Sequence, residues 1–246
     1  MKKRLLVLGL AFTMFAATAC GTSSDGGNKT SKADKTVTAT SNSDKTSETQ
    51  KNDDKKDDAK ESYKSADDIT MDDLKNHEET SAEDFEYGDG PNGSIVIDGY
   101  TGEDPIVVIP NEIDGKKVVD FGRMFANNKD VVAIKVGDNV EDIMENAFTN
   151  CDNLKYIVFG KNVKVINDGL LGGSKIEQIE FNDGLEKLGS NVSGVGLKSK
   201  IDVSIPESVT EMTFRGAKTL IVKSGSYAES YAKEYADKLG MAYKVE

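Results

Sequence analysis

The side chains that could carry nucleophilic or metal chemistry are few, because this chain of 246 residues has two cysteines and one histidine. Cys151 lies in the stretch NAFTNCDNLKYIVF and would need a neighbouring base to act as a nucleophile. The histidine, His77, lies in a polar segment well outside that stretch, and we expect it to be exposed to solvent and idle. A single thiol also cannot form a cysteine-rich zinc site. The sequence therefore predicts no Cys–His catalysis and no metal centre.

The segment GDGPNG, residues 88–93, matches the G-x-G-x-x-G pattern of dinucleotide-binding loops. It contains Pro91 and leads into SIVI, which is typical of a strand, whereas the fingerprint requires a helix after the loop. We therefore predict a β-turn. Metalloprotease, nucleophile-elbow and Walker motifs are absent from the sequence, and carboxylates are too numerous for any one pair to stand out. The sequence predicts no enzyme and no cofactor.

The net charge of −12 and the pI of about 4.7 exclude a typical nucleic-acid-binding protein, because phosphate binding needs concentrated lysine and arginine. The acidic composition suits an extracellular protein. No acidic loop has the spacing of an EF-hand.

The first residues have the pattern of an export signal. MKKR is followed by the apolar run LLVLGLAFTMFAA, which is too short to span a bilayer. ATAC, ending at Cys20, resembles a bacterial lipobox, which implies a signal peptide at 1–19 and lipid on Cys20. The resemblance places the protein on the extracellular side of a bacterial cell membrane. An ordinary secretory leader with a chance cysteine is the alternative. If Cys20 carries lipid, Cys151 has no partner for an intrachain disulfide.

Residues 20–81 are rich in Ser, Thr, Lys and Asp and have few side chains to bury. This composition predicts a disordered tether. Near its end, TMDDLKNHEE has the pattern of one short helix, with Thr70 as the N-cap and Asp73 three residues later.

A short motif recurs along the remaining chain as IPNEI, VGDNV, FGKNV, FNDGL and IPESV, with starts separated by 27, 23, 22 and 24 residues. Other apolar positions keep the same phase: Ile143, Ile166, Leu188 and Met212 after the motif, then Phe125, Phe148 and Leu171. Strand-like steps follow in VVAIKV, LKYIVF and IEQIEF. A repeat of this length predicts a solenoid, in which stacked units share one core.

The phase of the repeat assigns side chains to the core. The predicted inward residues are Val131, Ile134, Val136, Leu154, Ile157, Phe159, Ile176, Ile179 and Phe181. Cys151 stands at a recurring apolar position, three residues after Phe148 and three before Leu154, so we predict that it packs as a small hydrophobic side chain.

The segments IPESVTEM, ENAFTNCDNLKYIVF and VIPNEIDGKKV resemble BspA-type leucine-rich repeats, a family of bacterial surface proteins, over roughly residues 84–246. The resemblance implies a right-handed leucine-rich repeat solenoid of the α+β or mostly β class, with about four to five repeats of 22–24 residues. The unit at 185–204 departs from the pattern, since it is glycine-rich and lacks the Phe and Cys positions.

Both ends of the solenoid have the pattern of caps. The stretch from DFEYGDG to IVVIP alternates strand-like runs with turns, which predicts a β-hairpin. SGSYAESYAKEYADKLG predicts a helix with Ser226 and Glu229 as a capping box and Gly240 at its end, followed by a last strand in MAYKV.

The predicted domain at 82–246 is therefore a binding module on a membrane tether. The family resemblance implies adhesion through an extracellular or envelope protein ligand, or alternatively a glycan. The outward residues predicted to form the binding surface are Tyr156, Lys155, Val158, Glu177, Gln178 and Glu180. Tyr156 is the expected anchor, because tyrosine is enriched among interface hot spots. An ordinary solvated face, an envelope accessory role and an enzyme without a recognisable motif remain alternatives, and the oligomeric state stays open.

Overall fold

The computed structural model of the chain describes residues 65–190 and 201–246. Helices α1 and α2 span Met71–Asn76 and Tyr227–Tyr235. In chain order the strands are β1 (Phe85–Asp89), β2 (Ile95–Tyr100), β3 (Ile106–Val108), β4 (Glu112–Ile113), β5 (Lys116–Asp120), β6 (Ala133–Lys135), β7 (Asp142–Ile143), β8 (Tyr156–Val158), β9 (Val165–Ile166), β10 (Gln178–Glu180), β11 (Lys187–Leu188), β12 (Asp202–Ser204), β13 (Glu211–Met212), β14 (Thr219–Val222) and β15 (Ala242–Val245). Short 3-10 turns lie at Ala82–Asp84, Pro91–Gly93 and Asp237–Leu239.

One sheet is built from the equivalent strands of successive repeats. Strands β3, β6, β8 and β10 pair in parallel, with Val107, Ile134, Ile157 and Ile179 at equivalent positions. Successive side chains of a strand point to opposite faces, so these four point into the core and their neighbours within each strand point outward. We call the outward side of these four strands, with Val132 and Lys155 directly before β6 and β8, the strand face.

A second sheet closes the other side of the core. The two-residue strands β7, β9, β11 and β13 pair in parallel and bury Ile143, Ile166, Leu188 and Met212. These side chains belong to the same apolar cluster as the inward residues of the first sheet. The core therefore lies between the two sheets and continues from one repeat to the next, as the motif spacing predicts.

The predicted inward residues are buried, and Phe181 is partly buried beside Phe159, with ring centroids 5.6 Å apart. Cys151 is 2% exposed, and its thiol donates to the backbone oxygen of Phe125 at 2.8 Å. Burial raises the pKa of the thiol to about 11. The packing role predicted for Cys151 is confirmed.

Glycine follows two of the repeat strands for a steric reason. A Cβ atom on Gly160 would lie 2.2 Å from the backbone oxygen of Gly137, which occupies the equivalent position one repeat earlier. Real Cβ atoms do not approach backbone oxygen so closely. Close stacking of the turns in VGDNV and FGKNV therefore requires glycine.

The N-terminal cap is the predicted hairpin, in which β1 and β2 pair antiparallel. The GDGPNG segment forms its turn, with a 3-10 turn at Pro91–Gly93 and Asn92 at a φ of 55°. The backbone amide of Gly90 donates to Ser94 at 2.8 Å and closes the turn. The prediction of a turn at this glycine-rich segment is confirmed.

The C-terminal cap also has the predicted order of helix and strand. The Ser226 hydroxyl accepts from the backbone amide of Glu229 at 3.1 Å and caps α2. Gly240 adopts the left-handed conformation after the following 3-10 turn, and β15 then pairs in parallel with β14. The predicted class, a mostly β solenoid with two caps, is confirmed. Of the glycine-rich unit at 185–204, residues 191–200 lie outside the described residues.

Candidate binding surface

The strand face is partly covered by the chain's own N-terminal segment. Residues 65–81, which we call the strap, include α1 and continue toward the hairpin. The predicted capping box is confirmed: the Thr70 hydroxyl accepts from the backbone amide of Asp73 at 3.2 Å, and the Asp73 carboxylate accepts from the backbone amide of Thr70 at 2.7 Å. The sequence placed the strap in a disordered tether, whereas the structure places it against the solenoid.

Aliphatic contacts hold the strap in place. Its residues Ile69, Met71 and Leu74 are 1%, 6% and 0% exposed. They form one apolar cluster with the strand face, which contributes Ile106, Val108, Val132 and Ala133, and Ala66, Tyr156 and Val158 lie partly buried at its edge. Full burial of one such aliphatic side chain contributes about 1.5–3 kcal/mol, so the three strap residues dominate the docking energy.

Polar contacts fix the direction of the strap. At its C-terminal end, the backbone amide of Thr80 donates to the Val108 oxygen at 3.0 Å, and the Val108 amide donates to the Thr80 hydroxyl at 2.9 Å. In the middle, Lys75 forms a 2.6 Å ion pair with Glu180 of β10. Both side chains of this pair are 44% exposed, and exposed pairs contribute little to stability.

The expectation that His77 is exposed and idle is wrong. Its side chain is 23% exposed, and its Nε2 atom lies 3.6 Å from a carboxylate oxygen of Asp104. Next to it, Glu79 accepts a 2.9 Å hydrogen bond from the side-chain amide of Asn111. The docked strap brings both residues to the first turn of the solenoid, where they have a structural role.

The predicted binding residues share the strand face but differ in accessibility. Tyr156 is half-buried against the strap, and its hydroxyl donates to Glu177 at 3.2 Å. Burial raises the pKa of Tyr156. Val158 is also partly covered, and Lys155 has a side chain that is 17% exposed. These three residues point outward as expected, but they are not free, because the strap lies over them.

The other predicted residues belong to the open part of the surface. Glu177 and Gln178 are exposed, and Glu180 is half-buried beside Lys75. The open part continues as a groove of about 930 Å³, whose lining includes Gln178, Glu180, Phe181, Asp202, Ser204 and Lys223. The strand face therefore has a covered apolar part and an open polar part side by side.

Sequence reasoning missed the strap residues that complete this surface. Ile69, Met71 and Leu74 are three aliphatic side chains in an otherwise polar segment. A second signal lies in IVVIP and VVAI, which are continuous apolar runs, whereas a strand exposed on one face alternates. Together they indicate that something covers the outward side of β3 and β6.

Within the described ranges, the fold does not bring together the residues of a catalytic site or a metal site. The Cys151 thiol contacts the backbone oxygens of Phe125 and Thr149, whereas His77 lies beside Asp104, so no Cys–His pair forms. Across residues 65–190 and 201–246, no three His, Cys, Asp or Glu side chains are grouped to hold a metal ion. No helix of these residues has the length and apolar character of a membrane span.

The fold and its surface define a solenoid repeat protein. Residues 122–217 match the family model of the BspA type leucine rich repeat region, in six copies. The repeat type predicted from the sequence is therefore confirmed over this segment, whereas the predicted number of about four to five repeats was too low. Among curated proteins, none matches the chain significantly.

Three solved structures of bacterial repeat proteins are similar to this chain. A leucine rich repeat protein of T. pallidum is 27% identical, with a TM-score of 0.47, over 58% of this chain and 71% of that chain. A leucine-rich repeat protein of Bacteroides ovatus is 19% identical, with a TM-score of 0.46, over 68% of this chain and 52% of that chain. A leucine rich cell surface protein of Faecalibacterium prausnitzii is 16% identical, with a TM-score of 0.31, over 58% of this chain and 54% of that chain. The chain spans about half the length of the last two proteins.

Proposed function

We propose that this chain is a lipid-anchored extracellular protein that binds a protein partner through its strand face. One observation carries the proposal: the strand face already binds a polypeptide, because the strap docks there through Ile69, Met71 and Leu74. A surface that buries aliphatic side chains of its own chain has the shape and polarity to bury those of another protein.

The open part of the strand face supplies the polar contacts of this interface. Gln178 and Glu177 are exposed, and the groove beside them is lined by Asp202 and Ser204 of β12. Interfaces of this kind combine an apolar centre with a polar, solvated rim. The apolar centre lies under the strap, and Gln178 and its neighbours form the rim.

The anchor rests on the sequence. Cys20 follows a short apolar leader and precedes a long polar segment, so a lipid on its sulfur would hold the solenoid at a membrane surface. The polar segment between Cys20 and the strap would then link the membrane to the solenoid, and the strand face would meet extracellular or envelope proteins.

Affinity capture with the full chain as bait tests the proposal. The double variant Glu177→Arg/Gln178→Arg reverses the charge of the open rim, and Lys164→Glu makes a charge change at an exposed position beside β9, on the second sheet. A protein captured by the wild type and the Lys164→Glu control, and lost with the double variant, supports the strand face. Equal capture by all three chains would place the interface elsewhere.

A further inference from the structure

The strap has the features of a segment that can dissociate from the strand face. Its helix α1 has six residues, a length that does not form a stable helix in water by itself. Its ordered conformation therefore depends on the strand face. Two of the ion pairs along it are exposed on at least one side, since the Asp67 side chain is 89% exposed and both Lys75 and Glu180 are 44% exposed. The strap is thus held by three aliphatic side chains and by the polar contacts at its C-terminal end, where Thr80 bonds Val108 and His77 lies beside Asp104.

One side of the strap lies at the border between the covered and the open part of the strand face. Lys75 reaches Glu180 of β10, and Gln178 of the same strand is exposed. A protein bound on the open part consequently contacts the edge of the strap. The apolar residues next to that edge, Val158 and Tyr156, are in contact with the strap cluster. An interface that extends onto Val158 and Tyr156 therefore requires the strap to dissociate from the strand face.

We propose that the strap is a displaceable occupant of the strand face, and that the partner inserts a short amphipathic helix of the same pattern in its place. The inference rests on the proposed function and specifies the partner. The inserted segment carries aliphatic side chains at the position of Ile69, directly before the N-cap of its helix, and at the positions of Met71 and Leu74 within the helix. It carries an acidic side chain at the position of Asp67, because Lys155 pairs with that carboxylate.

Such an arrangement makes binding depend on strap release. A partner binds only the fraction of molecules whose strand face is open, so its apparent affinity is reduced by that fraction. A change that frees the strap should therefore strengthen binding of an external helix without any new contact.

The test uses the full chain and a fluorescent synthetic peptide with the sequence of residues 65–81. Leu74→Asp in the chain places a carboxylate in the apolar cluster and frees the strap, and Asp72→Asn, at an exposed position of α1, is the matched control. Fluorescence anisotropy is expected to show that the Leu74→Asp chain binds the peptide at least about tenfold more tightly than the wild type or the control. A peptide that itself carries Leu74→Asp should bind none of them at comparable concentrations.

A charge exchange tests the register of the bound peptide. In the Leu74→Asp chain, Lys155→Glu should weaken the peptide and should be rescued by a peptide carrying Asp67→Lys, because these residues pair in the structure. Absence of rescue would mean that the peptide does not take the place of the strap.

Other outcomes overturn the proposal. Trypsin cleavage after Lys75 reports strap release in Leu74→Asp and in a second variant, Met71→Asp. Protection of this bond in both variants, or equal peptide binding by the freed and intact chains, would make the strap a fixed part of the fold.

A dimer of the freed chain in light scattering would assign the strand face to a second copy instead of a partner. None of these readouts needs the natural partner, so loss of partner capture alone would refute only the proposed function.

Discussion

Lys155, directly before β8, donates a hydrogen bond from Nζ to Oδ1 of Asp67, which is 2.5 Å away and 88 residues earlier in the chain. The same ammonium group lies 3.4 Å from the backbone oxygen of Ala66. The hydrogen bond raises the pKa of Lys155 and lowers the pKa of Asp67. This contact joins the N-terminal end of the strap to the strand face. Lys155 is therefore a docking residue for the strap in addition to a candidate contact for a partner.

Tyr156→Ala should loosen the strap. The sequence predicts that Tyr156 is the anchor of the binding surface, so that its removal weakens a ligand by about 2 kcal/mol or more and leaves the thermal midpoint little changed. In the structure Tyr156 packs against the apolar cluster that holds the strap, so truncation should also remove support for that cluster. We expect trypsin cleavage after Lys75 to accelerate about five- to thirtyfold, as for a local loss of about 1–2 kcal/mol. Tyr243→Ala, at an exposed position of β15, is the control, and an equal rate for both would contradict the contact.

Cys151→Ala should destabilise the domain by about 1–2 kcal/mol and retain partner binding, because the thiol is buried and far from any catalytic arrangement. Urea unfolding at pH 7 measures the difference. Fast reaction of the native chain with a bulky thiol reagent would argue against burial.

The same residue predicts a specific dependence on pH. Burial raises the pKa of Cys151 from 9.0 to about 11, so the folded state holds the proton more tightly than the unfolded state. The stability from this protonated thiol is complete below pH 9 and is lost as the pH rises toward about 11. Between pH 8 and pH 11, the free energy of unfolding should therefore fall further for the wild type than for Cys151→Ala. The two decreases should differ by up to about 2 kcal/mol. An identical pH dependence of the two proteins would exclude this linkage.

Gly160→Ala should destabilise the stacked turns. The new Cβ atom would lie 2.2 Å from the Gly137 oxygen, and relief of this clash requires the backbones of two repeats to move apart. Overpacking of this kind costs about 1–3 kcal/mol. Gly88→Ala is the matched control, because the nearest atom to its Cβ would be a carboxylate oxygen at 3.6 Å. Chemical denaturation should show a clear loss for Gly160→Ala and a smaller change for Gly88→Ala, and the reverse order would be inconsistent with close stacking.

Cys20→Ala should abolish lipid attachment. The prediction rests on ATAC after the apolar leader, and these residues lie outside the described ranges. Metabolic labelling with an alkynyl fatty acid should mark the wild type and not Cys20→Ala, and Cys151→Ala is a cysteine control that should stay labelled. Equal labelling of the wild type and Cys20→Ala would exclude Cys20 as the attachment site.

The core could be predicted from the sequence because the repeat fixes the phase of each strand. Once Leu154, Ile157 and Phe159 are aligned with the equivalent residues of the next unit, alternation along a strand decides which side chains are buried. The caps follow from local rules in the same way, as Ser226 and Gly240 show. These features depend on residues close in sequence or related by the period.

The strap could not be predicted in this way, because its position depends on contacts between segments far apart in the chain. The local signal at Thr70 and Asp73 predicts the helix but not its location. Composition favours disorder for residues 20–81, and in the strap the burial of Leu74 in one apolar cluster with the strand face overrides this tendency. The accessibility of Tyr156 was consequently overestimated, whereas its outward direction was correct.

Site-specific photo-crosslinking is the most direct test of the claim that the strand face binds a protein. A benzophenone amino acid replaces Gln178 on the open part of the strand face, and in a second chain it replaces Lys164, an exposed residue beside β9. On cells that display the full chain, we predict a covalent adduct with a distinct protein from position 178 and none from position 164. Adducts from position 164 with none from position 178 would contradict the assignment of the strand face as the binding surface.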